Sequence, residues 1–268
     1  MAFVVSIVAP MKIATWNVNS LRVRLPQVLD WLAEARPDVL AVQETKVADE
    51  EFPVMELQAA GYHTLYTGEK GYNGVALIAR KRIERPVLTA LPGIADPARR
   101  FVAAEIGGVH VVNVYVPNGK AVGSEAYDYK LQWLECLRSH LAGMLAQHRH
   151  VVVLGDFNVA PEDRDVYDPV LWANTVLFSG PERAAFHRLL ELGLVDVVRE
   201  RNGDAVIYTW WDYRFYAFRR NRGLRIDHIL ASPAMARRCV SAGVDTRPRG
   251  LERPSDHAPL FAEFTASR

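Results

Sequence analysis

Apolar residues along this chain fall into short continuous or alternating runs and into longer stripes of helical period. Lys12 to Asn17 alternates as a strand does, with Ile13, Thr15 and Asn17 on one face. Leu21, Leu25, Val28, Leu29 and Leu32 then follow at helical spacing until Arg36-Pro37, and Ser20 stands where it would cap that helix. Asp38 to Gln43 is the next strand and runs into Glu44, completing a β–α–β unit. Further strands are expected at Tyr62 to Thr67, Gly74 to Ala79, Phe101 to Ile106 and Val109 to Val116, the last two joined by a tight turn at Gly107-Gly108. A long amphipathic helix over about Glu125 to His148 feeds Val151-Val152-Val153-Leu154, a run apolar enough to be buried on both faces. Glu182 to Leu192 reads as a helix, and Ile226 to Ala231, Val240 to Asp245 and Leu260 to Phe264 as strands. Between Pro161 and Gly180 the chain is irregular, polar and too long for a simple connector.

Strands paired as hairpins, with helices between the pairs, exclude a simple doubly wound parallel sheet. The pattern predicts an α/β fold with a two-sheet core and helices outside. Nothing reads as a linker or repeat, so residues 11–268 are expected to form a single domain, with residues 1–10 a tail or an upstream alternative start.

Half of the 268 residues are hydrophobic, enough for a large core, and the formal net charge is only +1. No global field therefore recruits a polyanion. A nucleic-acid partner would have to be met by local arginines, such as Arg99-Arg100 and the run from Arg219 to Arg225. The two cysteines, Cys136 and Cys239, form no metal-binding pattern and suit a reducing cytoplasm. No apolar run approaches a membrane span, so a soluble cytoplasmic protein is expected, acting as a monomer.

Polar side chains collect at the ends of these strands: Asn17, Glu44, Asn113 with Tyr115, Asp156 with Asn158, Asp227, and Asp256-His257. Residues two apart in an extended chain share a face, which would place Asp156 and Asn158 side by side. Oxygen donors dominate, favouring a hard cation such as Mg²⁺ over zinc or iron. Each residue also has a plain alternative: a solvated Glu44, a structural His257, a core Tyr115, an apolar plug at Trp210 to Tyr213, a merely soluble arginine face. The functional case rests on their combination.

Five blocks carry a resemblance. Trp16-Asn17-Val18-Asn19-Ser20, Val42-Gln43-Glu44-Thr45-Lys46, Gly155-Asp156-Phe157-Asn158, Gly223-Leu224-Arg225-Ile226-Asp227 and Pro254-Ser255-Asp256-His257-Ala258-Pro259 resemble, in order, the signatures of the exonuclease III family. That family comprises DNA-repair nucleases acting at abasic sites and damaged 3′ ends, within the endonuclease/exonuclease/phosphatase superfamily. The resemblance implies a four-layer α/β sandwich of two face-to-face mixed sheets flanked by helices, a site at one edge, and Mg²⁺ or Mn²⁺ as cofactor. Its implied metal-side set is Asn17, Glu44, Asp156, Asn158, Asp256 and His257, with Glu44 the main ligand. Asp156 would activate or orient water, and Asn158 would hold Asp156 and the phosphate. His257, paired with Asp256, would contact the scissile phosphate. Tyr115 would bind it or assist the leaving oxygen, and Asp227 would support the group. Trp210 and Leu224 match positions lining the pocket for an extruded abasic sugar, while Arg99, Arg100, Asn118, Arg219, Arg220 and Arg222 would complete the contacts to double-stranded DNA.

Two departures bear on substrate. Asn118 stands where many members carry glutamine, and Asp165 to Gly180, with bulky Leu177 and Phe178, falls where members differ. A bulky group there would block internal abasic-site cleavage while leaving 3′-end trimming. The competing expectations are a superfamily phosphatase acting on inositol phosphate or phospholipid, and a non-catalytic DNA-binding relative.

Overall fold

The computed structural model describes residues 9–266, so all but the last two residues of the expected 1–10 tail lie outside it. Strands β1 (Met11–Asn17), β2 (Val39–Gln43), β3 (His63–Glu69) and β4 (Tyr72–Ala79) come first in the chain. β5 (Glu84–Leu88), β6 (Phe101–Ile106), β7 (Val109–Tyr115), β8 (Val151–Asp156), β9 (Val195–Asp196) and β10 (Asp227–Ala231) follow, then β11 (Cys239–Val244) and β12 (Leu260–Phe264). They form two six-stranded sheets, ordered β11-β12-β1-β2-β4-β3 and β5-β6-β7-β8-β10-β9. Both are mixed: β1 pairs parallel with β2 and β7 with β8, while most other neighbours run antiparallel. The second sheet is built from one continuous stretch of chain, and the first is closed only when β12 returns to β1.

Period-two alternation sorts the strands' side chains into layers. Ile13, Val39, Ala41, Val75 and Leu77 of the first sheet meet Val109, Val111, Val152 and Leu154 of the second in one buried core. Ala14, Trp16, Leu40 and Val42 face the opposite way, against helix α1 (Leu21–Ala35) and short α2 (Val54–Ala59). Val112, Val114, Val116 and Val153 pack outward on α3 (Glu125–Gln147) and α5 (Gly180–Leu190). The layers run helix, sheet, sheet, helix, as expected. Polar clamps cross the central core at one end: Gln43 Nε2 donates to Thr15 Oγ1 at 2.8 Å and Asn113 Oδ1 at 2.7 Å, and Asn113 Nδ2 donates to the backbone oxygens of Val42 and Ala76.

The remaining helices are α4 (Pro169–Trp172), α6 (Val197–Asn202) and α7 (Pro233–Ala236). None of these three was legible as a pattern, nor were α2, β5 and β9. Ser20 does not cap α1: its φ is 93°, its side chain accepts no cap bond, and the turn is held instead by Ser20 N–H to Glu44 O (2.7 Å) and Leu21 N–H to Thr45 O (2.9 Å). That backbone link ties the ends of β1 and β2 together.

Gly155, inside β8, shows why this strand admits no side chain there. Its φ is 144°, and an added Cβ would lie 2.0 Å from Val114 O on the neighbouring strand. Gly155→Ala is expected to destabilise the protein by about 1–3 kcal/mol, as overpacking of a rigid core does. Urea unfolding followed by circular dichroism measures this, and an unchanged midpoint would show that β7 and β8 can part freely.

Candidate active site

One edge of the sandwich collects the polar strand ends, because the parallel strands β1, β2, β7 and β8 all finish there. Register aligns Asn17 with Gln43, Tyr115 with Asp156, and Asp227 at the start of antiparallel β10 with Asp156 again. The loop before β12 adds Asp256 and His257 from the other sheet.

Asn17 is the hinge of the group. Its Nδ2 donates to Glu44 Oε1 and to Asp156 Oδ2, each at 2.9 Å. Its backbone oxygen accepts from Ser255 Oγ at 2.6 Å, which fixes the Asp256-His257 loop. His257 donates from Nδ1 to Asp227 Oδ2 at 2.8 Å, and its Nε2 lies 3.7 Å from Asp156 Oδ2. Asp156 and Asp227 are each 1% exposed and His257 4%. Burial alone would strip the imidazole of its proton, but the carboxylates of Asp227 and Asp156 outweigh it and hold His257 as an imidazolium. Burial, reinforced by the Asp227 charge, pushes the Asp156 carboxyl up against the pull of His257. Tyr115 is held well above its ordinary value by burial and by the charges of Glu44 and Asp156, so its hydroxyl is a neutral donor.

A second chain of contacts runs along the solvent side. Lys46 Nζ pairs with Glu44 Oε2 at 2.9 Å and donates to Asn19 Oδ1 at 2.6 Å. Asn19 Nδ2 donates to Asp256 Oδ1 at 3.0 Å, and Trp210 Nε1 to Asp256 Oδ2 at 2.9 Å. Glu44 itself sits at φ 50°, a left-handed backbone that costs on the order of 1–3 kcal/mol for a non-glycine residue. The neighbouring Thr45 and Lys46 N–H groups, bonded to Gly74 O and Asn73 O, hold it there. Asn19 and Lys46 stood in the blocks that carry the family resemblance, yet nothing in the sequence marked them as a bridge between Glu44 and Asp256.

Several expectations are corrected. Asp156 and Asn158 do not lie side by side on an extended face. The strand ends at Asp156 and the chain turns at Asn158 (φ 50°), so the Asn158 backbone N–H, not its amide, reaches Asp156 Oδ1 at 2.9 Å. The Asn158 amide instead donates to Val116 O and accepts from Asn118 Nδ2 at 3.2 Å. His257 does not pair with Asp256: adjacent side chains diverge, and the imidazole turns inward to Asp227 while Asp256 turns to Trp210 and Asn19. Arg225 leaves the basic cluster altogether. It is 1% exposed, with Nε on Asp165 Oδ1 (2.6 Å) and Nη1 on Asp196 Oδ2 (2.5 Å).

Arg219, Arg220 and Arg222 are exposed on the loop before β10, and Arg99 is exposed before β6. Arg100 stacks 4.7 Å over the Tyr115 ring, with Nε and Nη1 buried and making no hydrogen bond. Trp210 and Leu224 face each other through paired backbone bonds in an apolar cluster with Leu177 and Phe178.

Asp156, Asp227 and His257 are the one group of three acidic or histidine donors, among the described residues, that converge closely enough to hold a metal ion. Asp227 Oδ1 is buried without a hydrogen bond, and the carboxylates of Glu44 and Asp156 flank the Asn17 amide. His257 Nδ1 is committed to Asp227, which leaves an oxygen-rich set suited to a hard divalent cation. The residues present fit such an ion.

Comparison with known proteins agrees with this geometry. The sequence profile of the Endonuclease/Exonuclease/phosphatase family matches residues 14–257. The exodeoxyribonuclease III of Haemophilus influenzae is 36% identical over 267 residues, covering 95% of this chain and 100% of that protein. A 3′ phosphatase from Neisseria, solved with a product DNA hairpin, superposes with a TM-score of 0.93 at 48% identity, over 95% of this chain and 99% of that one. An AP endonuclease from Archaeoglobus fulgidus gives a TM-score of 0.92 at 45% identity, over 95% and 99% of the two chains. The chain belongs to the endonuclease/exonuclease/phosphatase family, in its exonuclease III branch.

Proposed function

We propose that this nuclease is a DNA-repair phosphodiesterase that breaks the bond between phosphorus and a 3′ oxygen, at abasic sites and at damaged 3′ ends of double-stranded DNA. Mg²⁺ or Mn²⁺ is its cofactor, it acts as a monomer, and we place it in the cytoplasm, where its two unpaired cysteines stay reduced. The observation that carries this reading is the continuous line Asp227–His257–Asp156–Asn17–Glu44, assembled from both sheets.

In this reading Glu44, Asn17 and Asp156 would hold the cation, with Asp256 beside them on the Asn19 bridge. A bound divalent ion offsets charge on the phosphoryl oxygens. Asp156 orients the attacking water and accepts its proton, a task suited to a carboxyl whose affinity for protons burial has raised. The His257 imidazolium, backed by Asp227, faces the phosphate and stabilises charge that grows there. As water adds to phosphorus, the bond to the 3′ oxygen breaks and that oxygen takes a proton, for which the neutral Tyr115 hydroxyl is the donor. Asn158 and Asn118, joined amide to amide, hold the same phosphate. Arg99, Arg219, Arg220 and Arg222, exposed around the site, meet the flanking backbone phosphates, with Arg100 behind them between Asp96 and the Tyr115 ring. Trp210, with the fully buried Leu224 packed behind it, is our assignment for the wall that receives an extruded abasic sugar, the nucleotide least costly to flip.

The test uses matched duplexes carrying an internal abasic site, a 3′ phosphate or a 3′ mismatch, each with Mg²⁺, Mn²⁺ or EDTA. Metal-dependent cleavage leaving a 3′ hydroxyl, abolished by EDTA, is the expected result. DNA binding without cleavage under any metal would overturn it. So would phosphate release from inositol phosphates with the DNA left intact.

A further inference from the structure

Behind the site, helix α3 carries a lysine with no exposed surface. Lys130 Nζ donates to the backbone oxygens of Asn118 (3.1 Å) and Asn158 (2.6 Å), and to Glu182 Oε1. Glu182, equally buried on α5, accepts Leu177 N–H at 3.0 Å on Oε1, and Ser179 N–H and Oγ at 3.1 and 2.6 Å on Oε2. Ala160 N–H closes the circuit on Leu177 O at 2.8 Å. Burial pulls the Lys130 ammonium toward neutrality, and the Glu182 carboxylate opposes it.

Two apolar side chains would fill this space without desolvating an ammonium and a carboxylate. What they would not supply is three directed donors. Those donors join loops that carry different walls of the site. The Asn118 and Asn158 carbonyls belong to the two residues whose amides bond each other, and Asn158 N–H also holds Asp156. The Glu182 side reaches Leu177 and Phe178, which pack in one cluster with Leu224 and Trp210.

We propose that Lys130, with Glu182 as its counter-charge, is a positioning residue that sets the spacing between the amide wall and the apolar wall, and so selects which DNA ends are admitted. The assignment rests on the function proposed above. Lys130 touches no substrate; it acts through the carbonyls it holds.

Lys130→Met removes all three donors, whereas Glu182→Gln neutralises the partner but leaves Lys130 its carbonyl bonds and Leu177 N–H an acceptor. The experiment measures kcat/KM for a 3′-phosphate duplex and an internal abasic-site duplex, with the melting temperature of each variant. Lys130→Met is expected to shift the ratio of the two values by about 10- to 100-fold, the effect of a displacement near 1 Å in a reacting geometry. Glu182→Gln is expected to lower the melting temperature while keeping the wild-type ratio. If Lys130→Met does not fold, Lys130→Met/Glu182→Gln, which leaves no unpaired buried charge, is expected to show the same shift. An unchanged ratio in the Lys130 variants, or an equal shift in Glu182→Gln, overturns the assignment. Failure of the wild type on both duplexes refutes the underlying function instead, and this assignment with it.

Discussion

Asp156→Asn is expected to lower kcat by about 10²–10⁴-fold, the range that a positioned general base contributes, with DNA affinity little changed. Asparagine keeps the shape of the side chain and an acceptor for Asn158 N–H, so the loop stays in place. It cannot take a proton from water. It also removes one of the two carboxylates that keep His257 charged, weakening the imidazolium aimed at the phosphate. The same substitution deletes a buried charge that the fold stabilises poorly but sets an amide nitrogen against the Asn17 Nδ2 donor, so the net change in thermal stability should be small. Single-turnover cleavage of the preferred duplex, with fluorescence anisotropy for binding, separates the two effects. A loss below tenfold would assign water activation to another group.

Arg225→Met is expected to cost about 3–5 kcal/mol of stability, the usual result of stripping one partner from a buried ion pair. The guanidinium spans Asp165 and Asp196, and Nη1 also donates to His228 Nδ1 at 3.1 Å. Arg199 still reaches Asp165 in the variant, but Asp196 loses its cation. Urea denaturation at pH 7 gives the cost, and the pH dependence identifies its source. Burial alone would raise the Asp196 carboxyl, yet Arg225 and His228 outweigh it and hold it well below the usual range. A carboxyl depressed in the fold stabilises fully above its unfolded value of about 4 and loses that contribution as pH falls further. The gap between wild type and variant should therefore narrow in acid. A gap constant from neutral pH to about pH 3 would exclude the Asp196 pair as its origin.

How much was legible in the sequence follows from range. The valine-rich runs of β7 and β8 declared themselves because burial on both faces demands apolar residues at every position. β5 did not, since Glu84 to Leu88 lies at a largely exposed edge, turns only Val87 to the core and contains Pro86. The strand-end polar residues were visible as types but not as partners. Asp227 meets His257 only because β10 pairs with β8, a contact that neither segment announces. The arginine run misled in the same way. Arg225 differs from Arg222 by three positions in sequence, but it bonds through its own N–H to Asp165 O and enters the core where β10 begins. Lys130 was hidden more deeply, as a charged residue in the apolar stripe of a helix whose acceptors lie on three other segments.

The order in which the sheets are made carries a consequence for synthesis. Strands β5 to β10 form the second sheet from one unbroken stretch, so it can assemble as soon as that stretch is available. In the first sheet β1 to β4 pair early, but β12 and β11 are added only when the chain returns to β1 across nearly its whole length, and such distant closure is slow. Asp256 and His257 lie just before β12 and are pinned by Ser255 to Asn17 on β1. A nascent chain thus carries Asn17, Glu44 and Asp156 before Asp256 and His257 exist to join them. The His257 imidazole joins the Asn17–Asp156 line only once the last strand is in place, so that line is completed late in synthesis.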